Sequence, residues 1–211
     1  MGSYPIVLEL AGEPCLVIGG GAVAGRKVAG LRAVGAEVTV ISPTLGPDLE
    51  ALARDGRIRH LGRAYRPGDL AGYRLAFVAT DDGAVTAAVA REGRARGVWV
   101  NAADDPAHSD FILPSLLRRG ELVVAVATGG ASPALSRAVR EELERHVTDD
   151  YAALVEVVAA VRRELRGRRE APGPERWRAA LDADLRRLVA EGRRAEARAH
   201  LLARLGVPPW G

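Results

Sequence analysis

The sequence predicts an α/β fold in which a doubly wound parallel sheet is followed by a small α+β segment and a C-terminal helical domain. Short apolar runs alternate with helical patterns through the first hundred residues, which is typical of βαβ units. A cluster of glycines joins the first apolar run to the first helix. Residues 150–211 show only helical periodicity, so the sheet belongs to the N-terminal part of the chain.

The elements of the N-terminal part are predicted from apolar runs and from the proline and glycine residues that bound them. Proline favours a helix start and glycine a helix end, and the fourth apolar run has no polar residue, as expected of a central parallel strand. These signals predict five strands, at 15–18, 37–41, 58–61, 75–79 and 98–100, with helices at 24–35, 47–54 and 83–96.

The pattern changes after residue 105. Two apolar runs, 111–116 and 122–127, predict a hairpin-like pair, and Ser132-Pro133 is a good helix start. Helices are predicted at 133–147, 150–166, 175–191 and 194–205, with a charged linker over 167–174. The predicted domains are therefore a sheet domain over 1–112, a dimerisation segment over 113–149 and a helical domain over 150–211.

The glycine cluster has the spacing Gly19-x-Gly21-x-x-Ala24. Gly19 allows a tight turn, Gly21 allows a pyrophosphate to approach the backbone, and Ala24 allows the helix to pack closely on the strand. The free N–H groups at the start of the helix favour an anion. This layout predicts a Rossmann-like domain that binds a dinucleotide.

The second strand lacks the acidic residue that usually binds the ribose hydroxyls of NAD. It ends in Ser42-Pro43-Thr44, which offers only neutral partners. No arginine stands at this strand end to hold a 2′-phosphate. The strand therefore favours NAD over NADP only modestly.

Polar residues also follow the fourth and fifth strands, at the sheet edge where α/β proteins bind ligands. Thr80-Asp81-Asp82 follows the fourth strand, and we expect Asp81 and Asp82 to cap a helix. Asn101 and Asp104 follow the fifth. Spacing alone leaves two roles open for Asp104, a general base or a turn residue.

A second strand-to-helix loop reads Thr128-Gly129-Gly130-Ala131-Ser132-Pro133. Such a loop can bind a carboxylate or a phosphate through its N–H groups. It can equally be a simple turn with a good helix cap. Both interpretations stay open at this stage.

Composition excludes several classes of function. The single cysteine, Cys15, rules out an intrachain disulfide framework, and the four histidines have no metal-site spacing, so no metal ligand is identified. No signal peptide and no membrane-spanning run are evident, which predicts a cytoplasmic protein. Residues 151–211 carry 13 basic and 8 acidic side chains, but aromatic residues do not alternate with the arginines, so nucleic acid is not an expected partner.

Taken together, these motifs resemble the precorrin-2 dehydrogenase family, which includes the N-terminal part of multifunctional sirohaem synthase. The chain departs from the family at Ala22, where an acidic residue is common, and at Thr86, where asparagine is usual. The resemblance covers residues 4 to about 145 and rests on Tyr4-Pro5, Leu10, Val17 to Ala24, Arg26-Lys27, Ala79 to Asp82, Val100 to Asp104, Asp110 to Ser115 and Thr128 to Pro133.

The resemblance implies a homodimeric enzyme that oxidises precorrin-2 to sirohydrochlorin with NAD. Some members of the family also insert ferrous iron, which would then be a substrate. Asp104 matches the family's catalytic aspartate. The resemblance implies NAD contacts at Ala22, Val23, Pro43 and Thr44. The glycine pattern and the sheet edge add the expected NAD contacts Gly19, Gly21 and Thr80, and the expected tetrapyrrole contacts are Asn101, Thr128, Gly129 and Gly130.

Two other classes of protein remain as alternatives. A non-enzymatic NAD-sensing regulatory module would explain the glycine loop, but it would not need Asp104 or the 128–133 loop. A small NADP-dependent reductase would favour a catalytic Tyr–Lys pair, but the only lysine, Lys27, falls in the first helix.

Overall fold

The computed structural model describes residues 3–166 and 172–207 of the chain. The chain forms two compact units, Met1–Leu113 and Pro114–Gly211. Most of the predicted linker over 167–174 lies outside the described residues. The further division of the second unit into a dimerisation segment and a helical domain stays a prediction.

The first unit is a five-stranded parallel sheet with helices on both faces, which confirms the predicted fold class. Its strand order is β3-β2-β1-β4-β5, so the chain changes direction across the sheet between β1 and β4. The elements are β1 (Pro14–Ile18), α1 (Ala22–Ala33), β2 (Glu37–Ile41), α2 (Pro47–Arg54), β3 (Arg59–Leu61), β4 (Leu75–Val78), α3 (Gly83–Arg96) and β5 (Trp99–Ala102).

Alternate residues of the central strands fill two separate cores, one on each face of the sheet. Val17 and Phe77 pack under α1 with its buried residue Val28. Leu16 and Val78 point to the opposite face, in the cluster that includes Val89 of α3. Because both faces are covered, β1 and β4 are apolar at almost every position, as the sequence indicated.

The outer edge of β5 is covered by side chains of the segment that follows it. Asp110 accepts a hydrogen bond from Val100 N through Oδ2 at 2.8 Å, and Asp110 N donates to Val100 O at 2.8 Å. Ser109 Oγ accepts from Ala102 N at 3.0 Å. These groups satisfy an edge that would otherwise be open to another chain.

The second unit contains a two-stranded antiparallel sheet and five helices among the residues described here. Its buried cluster includes Val161 of α5, Leu185 of α7 and Leu201 of α8. The elements are β6 (Ser115–Arg119), β7 (Leu122–Val126), α4 (Pro133–Glu144), α5 (Asp150–Leu165), α6 (Pro174–Ala180), α7 (Ala183–Ala190) and α8 (Arg194–Arg204).

Two sequence predictions for this part of the chain are wrong. The apolar run 111–116 is not one strand, since β6 begins at Ser115 and the Phe111 ring stands edge-on to Phe77, with ring centroids 5.6 Å apart. The predicted helix 175–191 is two helices. Asp182 breaks it by adopting an extended backbone and accepting a hydrogen bond from Leu185 N at 2.9 Å as the cap of α7.

Within residues 3–166 and 172–207, no helix has the length and apolar character needed to span a membrane.

We predict that Asp182→Ala lowers the free energy of unfolding by about 1 kcal/mol, the usual cost of losing a helix cap. Asp182 also binds His200 Nε2 at 2.9 Å, and its pKa is lowered by the Leu185 N–H, and further by His200 and Arg204. A lowered carboxyl pKa means that this stabilisation is present above the unfolded pKa and is lost as the pH falls through the folded value.

Urea unfolding at pH 7 and pH 3 tests this prediction, with Asp184→Ala as the control because Asp184 is exposed and, among the described residues, pairs only with Arg187. The difference between the two variants should shrink at pH 3. Equal stability of both variants at pH 7 would show that Asp182 does not cap α7 in solution.

Candidate functional site

The glycine loop after β1 is pressed against two neighbouring stretches of backbone. Gly19 has a φ of +121°, and a Cβ there would lie 2.1 Å from Ala79 O. A Cβ on Gly20 would lie 2.0 Å from Thr44 O. No side chain fits at either position, so the loop brings together the chain segments that follow β1, β2 and β4.

Gly21 is different, because a Cβ there would meet no atom within 4 Å. Its φ of −85° also suits any residue, so neither the backbone angle nor protein packing requires glycine. The open space lies at the N-terminus of α1, which has no side-chain cap and no acidic residue in its first turn. The N–H groups at the start of a helix have no partner within it, so those of Ala22 and Val23 suit an anion. This arrangement fits the pyrophosphate of NAD.

An open depression of about 390 Å³ lies beside the end of β2. It includes Pro43 and Thr44, which the resemblance assigned to NAD. The His60 ring is fixed there by a hydrogen bond from Nε2 to Ser42 O at 2.9 Å. The complete lining is Pro43, Thr44, Leu45, Glu50, Ala53, Arg54 and His60.

Three of these lining residues carry or can carry charge, and the sequence interpretation missed them. The acidic residue expected to bind a ribose was sought at the end of β2, but Glu50 lines the depression from α2. The sequence interpretation also found no basic residue near Ser42–Thr44, but Arg54 and His60 line the same depression. Helical spacing could have found the pair on α2, because residues four apart share a helix face.

The residues after β4 form a capped helix start. Asp82 Oδ1 accepts hydrogen bonds from Ala84 N at 2.9 Å and Val85 N at 3.1 Å, which confirms the predicted cap. Thr80, a predicted NAD contact, is half-buried, and its hydroxyl oxygen accepts from Asp82 N at 3.3 Å. Asp81 is exposed and its carboxylate makes no hydrogen bond to any described residue, so the prediction that Asp81 also caps a helix is wrong.

Two neighbouring aspartates after β5 have different roles. Asp105 caps the short 3₁₀ turn Pro106–His108, and its Oδ2 lies 2.6 Å from His108 Nδ1. The hydrogen bond from His108 lowers the pKa of Asp105. Asp104 is exposed, and its carboxylate has no hydrogen-bond partner among residues 3–166 and 172–207. Asp105 thus caps the 3₁₀ turn, and Asp104 occupies the turn before it without a side-chain hydrogen bond.

Asp104 also has an unusual backbone. Its φ of +58° makes it the only residue other than glycine with a positive φ in the described part of the chain. Such a conformation is uncommon outside glycine and is tolerated best by Asn and Asp. A backbone hydrogen bond ties this loop to the end of β4, because Ala103 N donates to Val78 O at 2.9 Å. Asp104 is therefore a free carboxylate on a fixed loop at the carboxyl edge of the sheet.

Asn101, a predicted substrate contact, is almost fully buried. Its Nδ2 donates to Phe111 O at 2.9 Å, so part of its amide holds the segment that covers β5. No group of three or more His, Cys, Asp or Glu side chains in the described ranges is arranged to hold a metal ion.

The loop before α4, in the second unit, is a closed turn. Thr128 Oγ1 accepts from Ser132 N at 3.1 Å and lies 3.2 Å from Ser136 Oγ. Ser132 caps α4 by accepting a hydrogen bond from Leu135 N at 3.1 Å. Gly129 and Gly130 both have positive φ values, +62° and +86°. Unlike α1, this helix already has a side-chain cap, and the Thr128 hydroxyl is engaged within the turn. Of the predicted substrate contacts in this loop, Gly129 and Gly130 are therefore the two that make no side-chain hydrogen bond.

Two family models match the chain in succession. The first, described as putative NAD(P)-binding, matches residues 6–115, and the second, described as sirohaem biosynthesis protein central, matches residues 119–146. The first model covers more than half of the chain and coincides closely with the first compact unit.

Curated relatives are sirohaem synthases. The protein of Methylobacillus flagellatus is 43% identical over 168 residues, which are 80% of this chain and 36% of the relative. That of Chromobacterium violaceum is 40% identical over 204 residues, or 96% of this chain and 43% of the relative. That of Methylococcus capsulatus is 38% identical over 219 residues, covering all of this chain and 46% of the relative. The chain spans less than half the length of these relatives.

A solved structure described as SirC, precorrin-2 dehydrogenase, has the same fold, with a TM-score of 0.72 over 97% of this chain and 99% of that one, at 24% identity. The two family models and the sirohaem synthase relatives agree with the resemblance found in the sequence. The chain therefore belongs to the sirohaem-biosynthesis family of NAD(P)-binding proteins.

Proposed function

We propose that the protein oxidises precorrin-2 to sirohydrochlorin with NAD as the hydride acceptor. The observation that carries this proposal is the free carboxylate of Asp104, set on a fixed loop at the same sheet edge as the uncapped α1. A sensor that only binds NAD has no need of such a group. The sirohaem synthase relatives and the fold of a precorrin-2 dehydrogenase support the choice of substrate.

Different residues of the first unit bind the cofactor and accept the proton. NAD, when bound, supplies a two-electron acceptor for the hydride. The N–H groups of Ala22 and Val23 would hold its pyrophosphate, and the depression beside Thr44 would accept its adenosine ribose. Asp104 accepts the proton that the macrocycle loses, so that loss of one hydride and one proton completes the oxidation. Asn101, Thr128, Gly129 and Gly130 stay predicted contacts of the substrate, and a cytoplasmic location stays a prediction.

We also propose that the protein is a homodimer that uses the exposed face of the β6–β7 sheet. Leu116 and Val123 lie on this face with 49% and 38% of their surface exposed. A two-stranded sheet is marginally stable alone, so a second copy would bury its apolar residues.

Substitution of the exposed sheet face tests the dimer. Leu116→Asp should give a monomer by light scattering at micromolar concentration. Leu181→Asp should leave the dimer intact, because Leu181 is similarly exposed, at 46%, but lies between α6 and α7. A monomeric parent protein would contradict the proposal.

We predict that Gly21→Asp abolishes NAD binding while the protein stays folded. The added side chain has open space, but its carboxylate occupies the place of the pyrophosphate. Titration calorimetry with NAD measures the effect. Gly30→Asp is the matched control, because Gly30 is also free of neighbours but lies near the other end of α1. Unchanged affinity in a folded Gly21→Asp variant would remove the cofactor from this loop.

Glu50 is predicted to select NAD over NADP. Its carboxylate can accept hydrogen bonds from ribose hydroxyls and would repel a 2′-phosphate, whereas Arg54 would attract one. Glu50→Ala should therefore raise the affinity for NADP relative to NAD. Asp48→Ala, on the same helix but outside the depression, should change neither affinity. A parent protein that binds both dinucleotides equally would contradict a role for Glu50.

Asp104→Asn is predicted to lower turnover of precorrin-2 by about 10²–10⁴, the usual contribution of a general base. Asparagine tolerates the same positive φ, so the loop keeps its shape. NAD affinity and melting temperature should stay close to those of the parent. Asp81→Asn removes a carboxylate from the same sheet edge and should leave turnover unchanged.

The measurement is NADH formation on addition of precorrin-2, with a thermal melt of each variant. Normal turnover with a lowered melting temperature would make Asp104 a structural residue. Ferrous ion added after the oxidation tests iron insertion on the same sample, since sirohydrochlorin and sirohaem have different absorbance spectra.

A further inference from the structure

Lys27 is the only lysine among the 30 lysine and arginine residues of the chain. Every other cationic position is arginine. The two side chains differ physically, because lysine presents a compact point charge and arginine a planar fork that spreads its charge. Position 27 is therefore the one position of this sequence with an ammonium side chain.

The ammonium of Lys27 is held over an aromatic ring. Lys27 lies on α1, next to the buried Val28, and its Nζ is 5.9 Å from the centroid of the Phe77 ring. This distance is within the range of a cation–π interaction. Lys27 is half-buried, so its charge does not move freely in solvent.

Phe77 places that charge near the end of β5. In the register of the sheet, Phe77 of β4 pairs with Asn101 of β5, and the loop with Asp104 begins just beyond it. The Phe111 ring closes the side of Phe77. The ammonium thus lies on the α1 face of the sheet, towards the edge at which the proposed reaction occurs.

The charged groups that act on Lys27 are Arg26 and Asp104. The pKa of Lys27 is lowered, mainly by burial and then by the positive charge of Arg26, while the carboxylate of Asp104 acts in the opposite direction. Ala103 N donates to Val78 O, the residue after Phe77, so the loop that carries Asp104 lies beside the strand position over which Lys27 is held. Neither Lys27 nor Asp104 has a hydrogen-bond or ion-pair partner among the described residues, so the attraction between them acts over a longer distance than an ion-pair contact.

We propose that Lys27 is the positioning residue for Asp104, with its ammonium over Phe77 directing the carboxylate towards the α1 face of the sheet. This inference rests on the proposed function, since it assigns Lys27 a part in the same reaction. An exposed carboxylate without a partner samples several rotamers. A fixed positive charge on one side favours those in which the carboxylate lies towards the α1 face of the sheet.

The single lysine allows the pair to be tested without substrate. Reductive methylation with ¹³C-formaldehyde labels only Lys27 and the N-terminal amine, and the methyl shifts report the ionisation of each. Asp104→Asn should lower the pKa of Lys27, because it removes the attracting charge. Asp81→Asn should leave it unchanged, and the N-terminal amine is an internal reference. A Lys27 pKa that Asp104→Asn does not move would overturn the proposal.

Kinetics then test whether the pair matters to the reaction. Lys27→Met keeps an unbranched apolar chain on Phe77 but lacks the charge, and it should lower kcat by about 10- to 100-fold, the scale of a small misplacement of a catalytic group. The KM for NAD should not change. Lys27→Arg should recover part of the loss, and Arg26→Met should match the parent. Equal kcat values for Lys27→Met and Arg26→Met would refute the role.

The two arms separate failure of this inference from failure of the proposed function. If the parent protein forms no NADH from precorrin-2, the proposed function fails, and the methyl shifts still decide whether Lys27 and Asp104 interact. If the parent is active and neither arm responds, only the role of Lys27 is refuted.

Discussion

The whole first unit depends on the close approach of the Gly19–Gly20 backbone to the backbone at Ala79 and Thr44. Separations near 2 Å from a hypothetical Cβ leave no room for a side chain at either glycine. This contact draws the ends of β1, β2 and β4 together, and α1 starts from it with an open N-terminus before packing on the sheet. The proposed cofactor site exists because the backbone is packed tightly behind it and is open in front of it at Gly21.

The structure contains two loops of the same design with different consequences. Both join a strand to a helix through glycines, but α1 has no side-chain cap, whereas Ser132 caps α4. The pair Asp104 and Asp105 shows the same contrast between neighbours, since of the two carboxylates only that of Asp105 makes hydrogen bonds to described residues. In each case the member without a structural partner is the one that suits a ligand or a reaction.

The sequence predicted the sheet and the glycine loop well because both depend on local signals. The apolar runs of β1 and β4 are long enough to be unambiguous, and the spacing of Gly19, Gly21 and Ala24 has a direct structural meaning. Prediction from the sequence failed where contacts with residues distant in sequence determine the local structure. Phe111 has strand-like neighbours in sequence but packs against Phe77. Lys27 escaped notice as a site residue because only the packing of α1 brings it near Phe77. Two further misses were local: the cap at Asp182 stands between two helical patterns, and Glu50 and Arg54 have the four-residue spacing of one helix face.

Oxidation of precorrin-2 by this protein, as opposed to sensing of NAD alone, is tested most directly by mixing the protein with precorrin-2 and NAD and following NADH and sirohydrochlorin in the same absorbance record. We expect the two products to appear together in equal amounts. Binding of NAD without formation of NADH, in a protein that also binds the tetrapyrrole, would contradict the proposed function.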